Sequence, residues 1–202
     1  MTTRIDVFID YVCPYCLLAE GAVEALRRER DVQVQLQPFE LRPDPVPTLR
    51  PEDDYLPSVW RSSVYPMAHR LGVPISLPTI SPQPRTEKAF LVLQLAGERE
   101  QAEPYSHAMF AAFFQQNRDI GRDEVIIDVA TSVGLDRSEV EAALTSPERR
   151  VRHAEDLRYA AETVGVTGVP SFLINGRLIS GVADLARLTA AVDRFAGSEV
   201  LR

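Results

Sequence analysis

Both cysteines of the chain fall in one tetrapeptide, Cys13-Pro14-Tyr15-Cys16, between the strand-like run Ile5-Asp6-Val7-Phe8-Ile9 and a helix-like run beginning at Leu17. A CxxC at such a junction constrains the fold, because a strand has to end and a helix has to start within a few residues. Cys13 takes the N-cap position and Pro14 the first helical position, where a missing N–H does no harm. The unpaired N–H groups and the dipole of a helix start favour a thiolate, so Cys13 reads as the nucleophile. Cys16, about one turn further in, reads as the shielded resolving thiol. Other uses of the spacing stay open. Zinc needs two more ligands, and His69, His107 and His153 are not paired at ligand spacing. An iron cluster bridged between subunits is a further alternative. A structural disulfide would close too short a loop to restrain the unfolded chain much. Two unreactive core thiols are the last alternative, against which Pro14 argues. No metal is expected.

With 202 residues, 45% of them hydrophobic, the chain can bury one substantial core or build one fold with a large insertion. Its net charge of -7 is dispersed, and no basic stripe exists to follow a phosphate backbone or an anionic bilayer. Nucleic acid and membranes are not expected partners. The opening residues Met1-Thr2-Thr3-Arg4 lead into a strand without an apolar leader, and no run approaches a membrane span. A cytoplasmic location is expected, where stable disulfides are rare and a CxxC cycles or senses.

Apolar positions predict a buried strand over Arg4 to Ile9, a helix from Cys13 to about Arg30 and a second strand over Val32 to Leu41. This βαβ unit should have parallel, adjacent strands, with the CxxC at the carboxyl end of the first. From Arg42 to Pro57 prolines and carboxylates dominate, as in an exposed connection. Helical patterns then cover Tyr55–Leu71, Thr86–Ala96, Pro104–Gln116, Asp123–Val133, Arg137–Leu144 and Pro147–Val164, with Gly134 stopping one helix and Asp136 placed to cap the next. The proline-rich run from Pro74 to Pro84 is irregular. Near the end, Asn175-Gly176 between Pro170–Ile174 and Arg177–Ser180 signals a hairpin with a type I′ turn, and an amphipathic helix closes the chain from Ala183 to Phe195.

A CPxC after the first strand, Gly168-Val169-Pro170 opening the third, a hairpin, a closing helix and a helical insertion resemble the DsbA family of thioredoxin-fold oxidoreductases, in particular its cytoplasmic FrnE-like branch. The resemblance implies an α/β thioredoxin fold with a large all-α insertion between the N-terminal βαβ unit and the C-terminal αββα part. The thioredoxin-fold domain would be discontinuous, 1–43 and 153–202, with the helical domain over 44–152. It implies that Pro170 is a cis-proline beside the CxxC, and that Pro14, Tyr15 and the backbone of Val169 meet the substrate. The function implied is dithiol–disulfide exchange with disulfide- or thiol-bearing proteins, without a metal or organic cofactor.

Pro14-Tyr15 departs from the Pro-His usual in periplasmic members and is similar to the Cys-Pro-Tyr-Cys of glutaredoxins. The segment from Val169 to Asp184 also resembles the part of a glutaredoxin that holds glutathione, with Asp184 at the place that meets its α-amino group; a carboxylate that starts the last helix is the competing reading of Asp184. Glutathione is thus a candidate co-substrate, and a glutathione-dependent transferase or isomerase of the kappa-class or 2-hydroxychromene-2-carboxylate type is the alternative function. Those relatives typically carry serine where Cys13 stands and no resolving cysteine, so the two thiols favour redox chemistry. A non-catalytic redox-sensing module is a third reading. Asp10 is a candidate proton acceptor beside the thiols, with a surface carboxylate as the competing reading. Trp60, Phe110, Phe113 and Phe114 read as core of the insertion, and His107 and His153 as solvent-facing.

Overall fold

The computed structural model describes residues 2–195. The outer ends of the expected discontinuous domain, Met1 and residues 196–202, lie outside the described residues. In chain order the elements are β1 (Thr3–Ile9), α1 (Pro14–Glu29), β2 (Val32–Pro38), α2 (Tyr55–Val59), α3 (Tyr65–Leu71), α4 (Glu87–Glu98), α5 (Ala102–Phe114), α6 (Asp123–Ser132), α7 (Arg137–Thr145), α8 (Pro147–Arg158), β3 (Ser171–Ile174), β4 (Arg177–Ser180) and α9 (Leu185–Phe195). π-Helical stretches, Trp60–Val64 and Tyr159–Val164, join α2 to α3 and extend α8. Pro66 has no N–H to continue a regular α ladder, and the wider turn before it absorbs that break. The chain divides into two compact units, one of residues 1–41 and 156–202, the other Arg42–Glu155.

In the first unit the strand order is β2-β1-β3-β4. β1 runs parallel to β2 and antiparallel to β3, and β3 pairs antiparallel with β4. The parallel step is what the α1 crossover permits, and the second is the tight hairpin at Asn175-Gly176. Both turn residues have positive φ, 45° and 76°, as a type I′ turn requires. The Asn175 amide also donates to the Phe195 carbonyl at 2.7 Å, tying the turn to the end of α9. Ile5, Val7, Phe8 and Ile9 of β1 are all buried. Phe8 meets Ala160 and Val166, with Leu173 and Leu178 packed alongside. Helices α1 and α9 pack on one another, and α9 also lies against β3. This is a thioredoxin fold, with the all-α segment inserted after β2.

Two expectations need correction. β2 stops at Pro38 rather than Leu41, and its apolar side chains Val32, Val34 and Leu36 are only half-buried, because it is the sheet's edge strand. His153 does not face solvent. It is 3% exposed and stacks on Phe90 with ring centroids 5.6 Å apart. The charged neighbours that made its helix face look polar, such as Arg152 and Glu155, point outward while His153 turns into the insertion's core. His107 is exposed as expected.

The second unit is all helical apart from its irregular segments. Trp60, Phe110, Phe113 and Phe114 are buried in it, Trp60 lying 5.8 Å from Phe114. Two of its helix ends are those the sequence signals. Asp136 Oδ1 accepts from the backbone N–H of Ser138 and Glu139 at 2.8 and 3.1 Å, and Gly134 ends the preceding helix at φ 91°.

The burial pattern makes stability position-dependent. Phe172→Ala, in the fully buried centre of β3, should lower unfolding free energy by about 3–5 kcal/mol, whereas Val34→Ala on the half-buried edge strand should cost about 1 kcal/mol or less. Urea denaturation measures both, and equal losses would contradict this account of the core.

Candidate active site

β1 ends at Ile9, and Asp10, Tyr11 and Val12 carry the chain to Cys13, the N-cap of α1. The Cys13 backbone is extended, φ -92° and ψ 110°, and Pro14 follows at the first helical position. Its carbonyl accepts from the Cys16 N–H at 3.1 Å, while its own N–H donates to the Asp10 carbonyl at 3.0 Å. The first turn contains no acidic side chain to oppose negative charge on sulfur. Pro14 and Tyr15 are half-buried beside it.

A second segment arrives from the far end of the sequence. The antiparallel register pairs Val7 with Phe172 and Phe8 with Ser171, which sets the residues just before β3 beside the loop just after β1. The Val169–Pro170 peptide bond is cis, and the Val169 carbonyl accepts from the Cys13 thiol at 3.3 Å. Two bonds hold this segment. The Ser171 hydroxyl donates to the Gly168 carbonyl at 2.7 Å, and the Gly181 N–H to the Pro170 carbonyl at 2.9 Å. The second was not apparent in the sequence, since Gly181 and Pro170 meet only once β3 and β4 have paired, whereas the first is a local bond between residues three apart.

Both cysteines are free thiols and both are buried, Cys13 4% and Cys16 2% exposed. The contrast in exposure expected from their places on the helix is therefore small, because the Val169 segment lies against Cys13 as well. What marks Cys16 is its electrostatic surroundings. Burial pushes the Cys16 thiol well above its ordinary range, its hydrogen bond to Cys13 and the charge there push further, and the Asp10 carboxylate adds to the rise. A backbone hydrogen bond from Asp10 opposes these without reversing them. Cys16 thus holds its proton.

Asp10 is not a surface carboxylate: it is 1% exposed, and its Oδ2 accepts from the Leu41 N–H at 2.8 Å. That anchor lies just past β2 and carries no sequence signal of its own. Asp184 is exposed, and its Oδ1 accepts from the Arg187 N–H at 2.8 Å, so it caps the start of α9. Among the described residues no group of His, Cys, Asp and Glu could hold a metal ion, and no helix is long and apolar enough to cross a membrane.

Chemically, the arrangement offers one sulfur at a helix start, a second that retains its proton one turn further in, and a buried carboxylate acting on the second. The family profile described as DSBA-like thioredoxin domain matches residues 4–193. The uncharacterized protein YwbO of Bacillus subtilis is 39% identical over 186 residues, 91% of this chain and 92% of that protein. Among solved structures, a probable DsbA oxidoreductase from Streptomyces coelicolor is similar with a TM-score of 0.79 at 24% identity, covering 99% of this chain and 93% of that one. A 2-hydroxychromene-2-carboxylate isomerase is similar with a TM-score of 0.78 at 19% identity, covering 96% of each chain. These two structural likenesses concern the fold.

The raised Cys16 thiol predicts a pH dependence. Between the unfolded thiol value, about 8.5, and the higher folded one, the unfolded chain has released a proton that the native chain keeps, so stability falls as pH rises. Urea unfolding of the reduced protein from neutral to alkaline pH should show this loss beginning above about pH 8.5. Cys16→Ser should lack that component, and identical pH profiles for the two proteins would contradict the assignment.

Proposed function

We propose that this chain, which belongs to the DSBA-like thioredoxin domain family, is an oxidoreductase that works by dithiol–disulfide exchange through Cys13 and Cys16. The observation that carries the reading is the pairing of Cys13, donating to the Val169 carbonyl at 3.3 Å, with a buried Cys16 that holds its proton. A sulfur that attacks and a sulfur that waits are the two roles exchange requires. A transferase or isomerase would use one residue at the Cys13 position and give Cys16 nothing to do.

In the reductive direction the Cys13 thiolate attacks one sulfur of a substrate disulfide, forming a mixed disulfide and releasing the other sulfur as a thiolate. Loss of the Cys13 proton to solvent as the thiolate forms removes the donor to the Val169 carbonyl, which is then free to accept from a backbone N–H of the bound substrate. Pro14, Tyr15 and Pro170 line the sulfur and orient that substrate. Cys16 then loses its proton to the Asp10 carboxylate and attacks Cys13 Sγ, closing the Cys13–Cys16 bond and expelling the second substrate thiolate. The oxidative direction runs the same steps backwards. No metal or organic cofactor takes part. The partners are disulfide- or thiol-bearing proteins, with glutathione as a small co-substrate, and the activity belongs to the cytoplasm, where a CxxC pair can cycle.

The thiol roles are separable by mutation. Cys16→Ser should accumulate mixed disulfides with glutathione or substrate protein, visible by mass spectrometry, while Cys13→Ser should abolish exchange. Asp10→Asn should slow resolution more than attack, so that the mixed disulfide persists in rapid-quench experiments. Indistinguishable behaviour of the two cysteine variants would sink the assignment.

Glutathione use can be tested at Asp184, whose cap and charge are separable. Asp184→Asn keeps the helix cap and removes the carboxylate, and a lost charge-assisted bond to the α-amino group should weaken glutathione use about ten- to a hundredfold. Asp184→Ala should in addition lose about 0.5–2 kcal/mol of stability. Steady-state reduction of a glutathionylated peptide at unchanged rate in Asp184→Asn would leave Asp184 as a helix cap alone.

A further inference from the structure

The helical unit contains a cavity of about 580 Å³ that the thiol chemistry does not use. The proline-rich run 80–84 walls it on one side and the residues just before α6 on the other. The packing is close. A Cβ on Gly121 would stand 2.9 Å from the Pro84 Cβ, so only glycine lets these walls meet as they do. The Gly121 N–H donates to Asp119 Oδ1 at 3.0 Å, which fixes the turn and engages the one carboxylate on the lining.

Three arginines, Arg50, Arg85 and Arg122, are among the residues lining this cavity in a chain whose net charge is -7. Arg85 is a built part of the wall, its nitrogens donating to the carbonyls of Arg42 and Val46 at 2.8 and 3.0 Å with Asp44 at 3.3 Å. Arg50 and Arg122 are held more loosely, by single surface pairings with Glu52 at 3.4 Å and with Glu124. Such exposed pairs contribute little and exchange readily for a ligand. Gln83 supplies an independent observation. It lines the cavity and is only 6% exposed, yet its side-chain amide makes no hydrogen bond to any described residue. The polar atoms of this amide are not cut off from solvent, so a ligand oxygen or nitrogen can take the place of water on them. Helix α6, of 10 residues, also starts here with no side-chain cap.

We propose that this cavity binds a small phosphate monoester with an apolar body. Arg50, Gln83 and Arg122 bring donor-bearing side chains to its lining from separate segments. A tetrahedral group with three free oxygens meets such converging donors better than a planar carboxylate does. Pro47, Ile80 and Pro82 supply the apolar wall.

Isothermal titration calorimetry of the full chain with phenyl phosphate and with benzoate tests the proposal. Phenyl phosphate should bind at one site, at least about tenfold more tightly than benzoate, and Arg50→Gln, Arg122→Gln and Gln83→Leu should each weaken it about tenfold or more. Thiol–disulfide exchange should be unchanged in the arginine variants, which also report on folding if Gln83→Leu proves unstable. The proposal is overturned by absence of phenyl phosphate binding to the wild type, by equal affinity in wild type and Arg122→Gln, by benzoate binding as tightly, or by a phosphotyrosyl peptide binding more tightly than phenyl phosphate.

Discussion

The hydrogen-bonded pairing of Phe8 with Ser171 and Val7 with Phe172 joins parts of the chain that only a closed sheet can bring together. From it follows the one contact that makes a site of a motif, the Cys13 thiol against the Val169 carbonyl, 156 residues apart in sequence. The register leaves no freedom here. A slip of one residue would turn Phe172 from the core to the opposite face and carry Val169 away from the sulfur. The burial of Phe172 and Ile174 therefore protects the chemistry as much as the fold.

Around that contact, position along the helix start differentiates two thiols that are chemically alike and almost equally buried. Cys13 sits at the helix start, where backbone N–H groups face it. Cys16 lies one turn in, deprived of water and beside a buried carboxylate, and every large influence on it but one favours the protonated form. Asp10 keeps its place because the Leu41 N–H holds one of its oxygens. An ionisable group so deeply placed has to be satisfied by the chain around it. Here the satisfying donor is the backbone just past β2, so the end of the parallel β1–β2 pair also orients the group that acts on Cys16.

The family to which the chain belongs and the fold it shares with an isomerase separate two levels of inference. A shared fold does not fix a chemistry, which has to be argued from the side chains at the site. In the helical unit the cavity beside α6 is a similar lesson at smaller scale. Its charge and its unpartnered amide come from residues that in sequence read only as an exposed, proline-rich connection.

The sequence by itself determined the elements and their kind. Alternation and apolar runs placed β1, the hairpin and α9, Pro14 placed the start of α1, Asp136 and Gly134 marked helix ends, and Asn175-Gly176 specified the turn. All of these are local, set by steric limits on φ and by which N–H groups a short stretch can satisfy. The CxxC was legible for the same reason. The tertiary structure alone decided that β2 is an edge strand, that His153 points inward onto Phe90, that Asp10 is buried against Leu41, and that Cys13 is as covered as Cys16. Each depends on which segments pack against a residue from far along the chain, and burial, unlike helix capping or turn geometry, is a property of those neighbours and not of the residue's own.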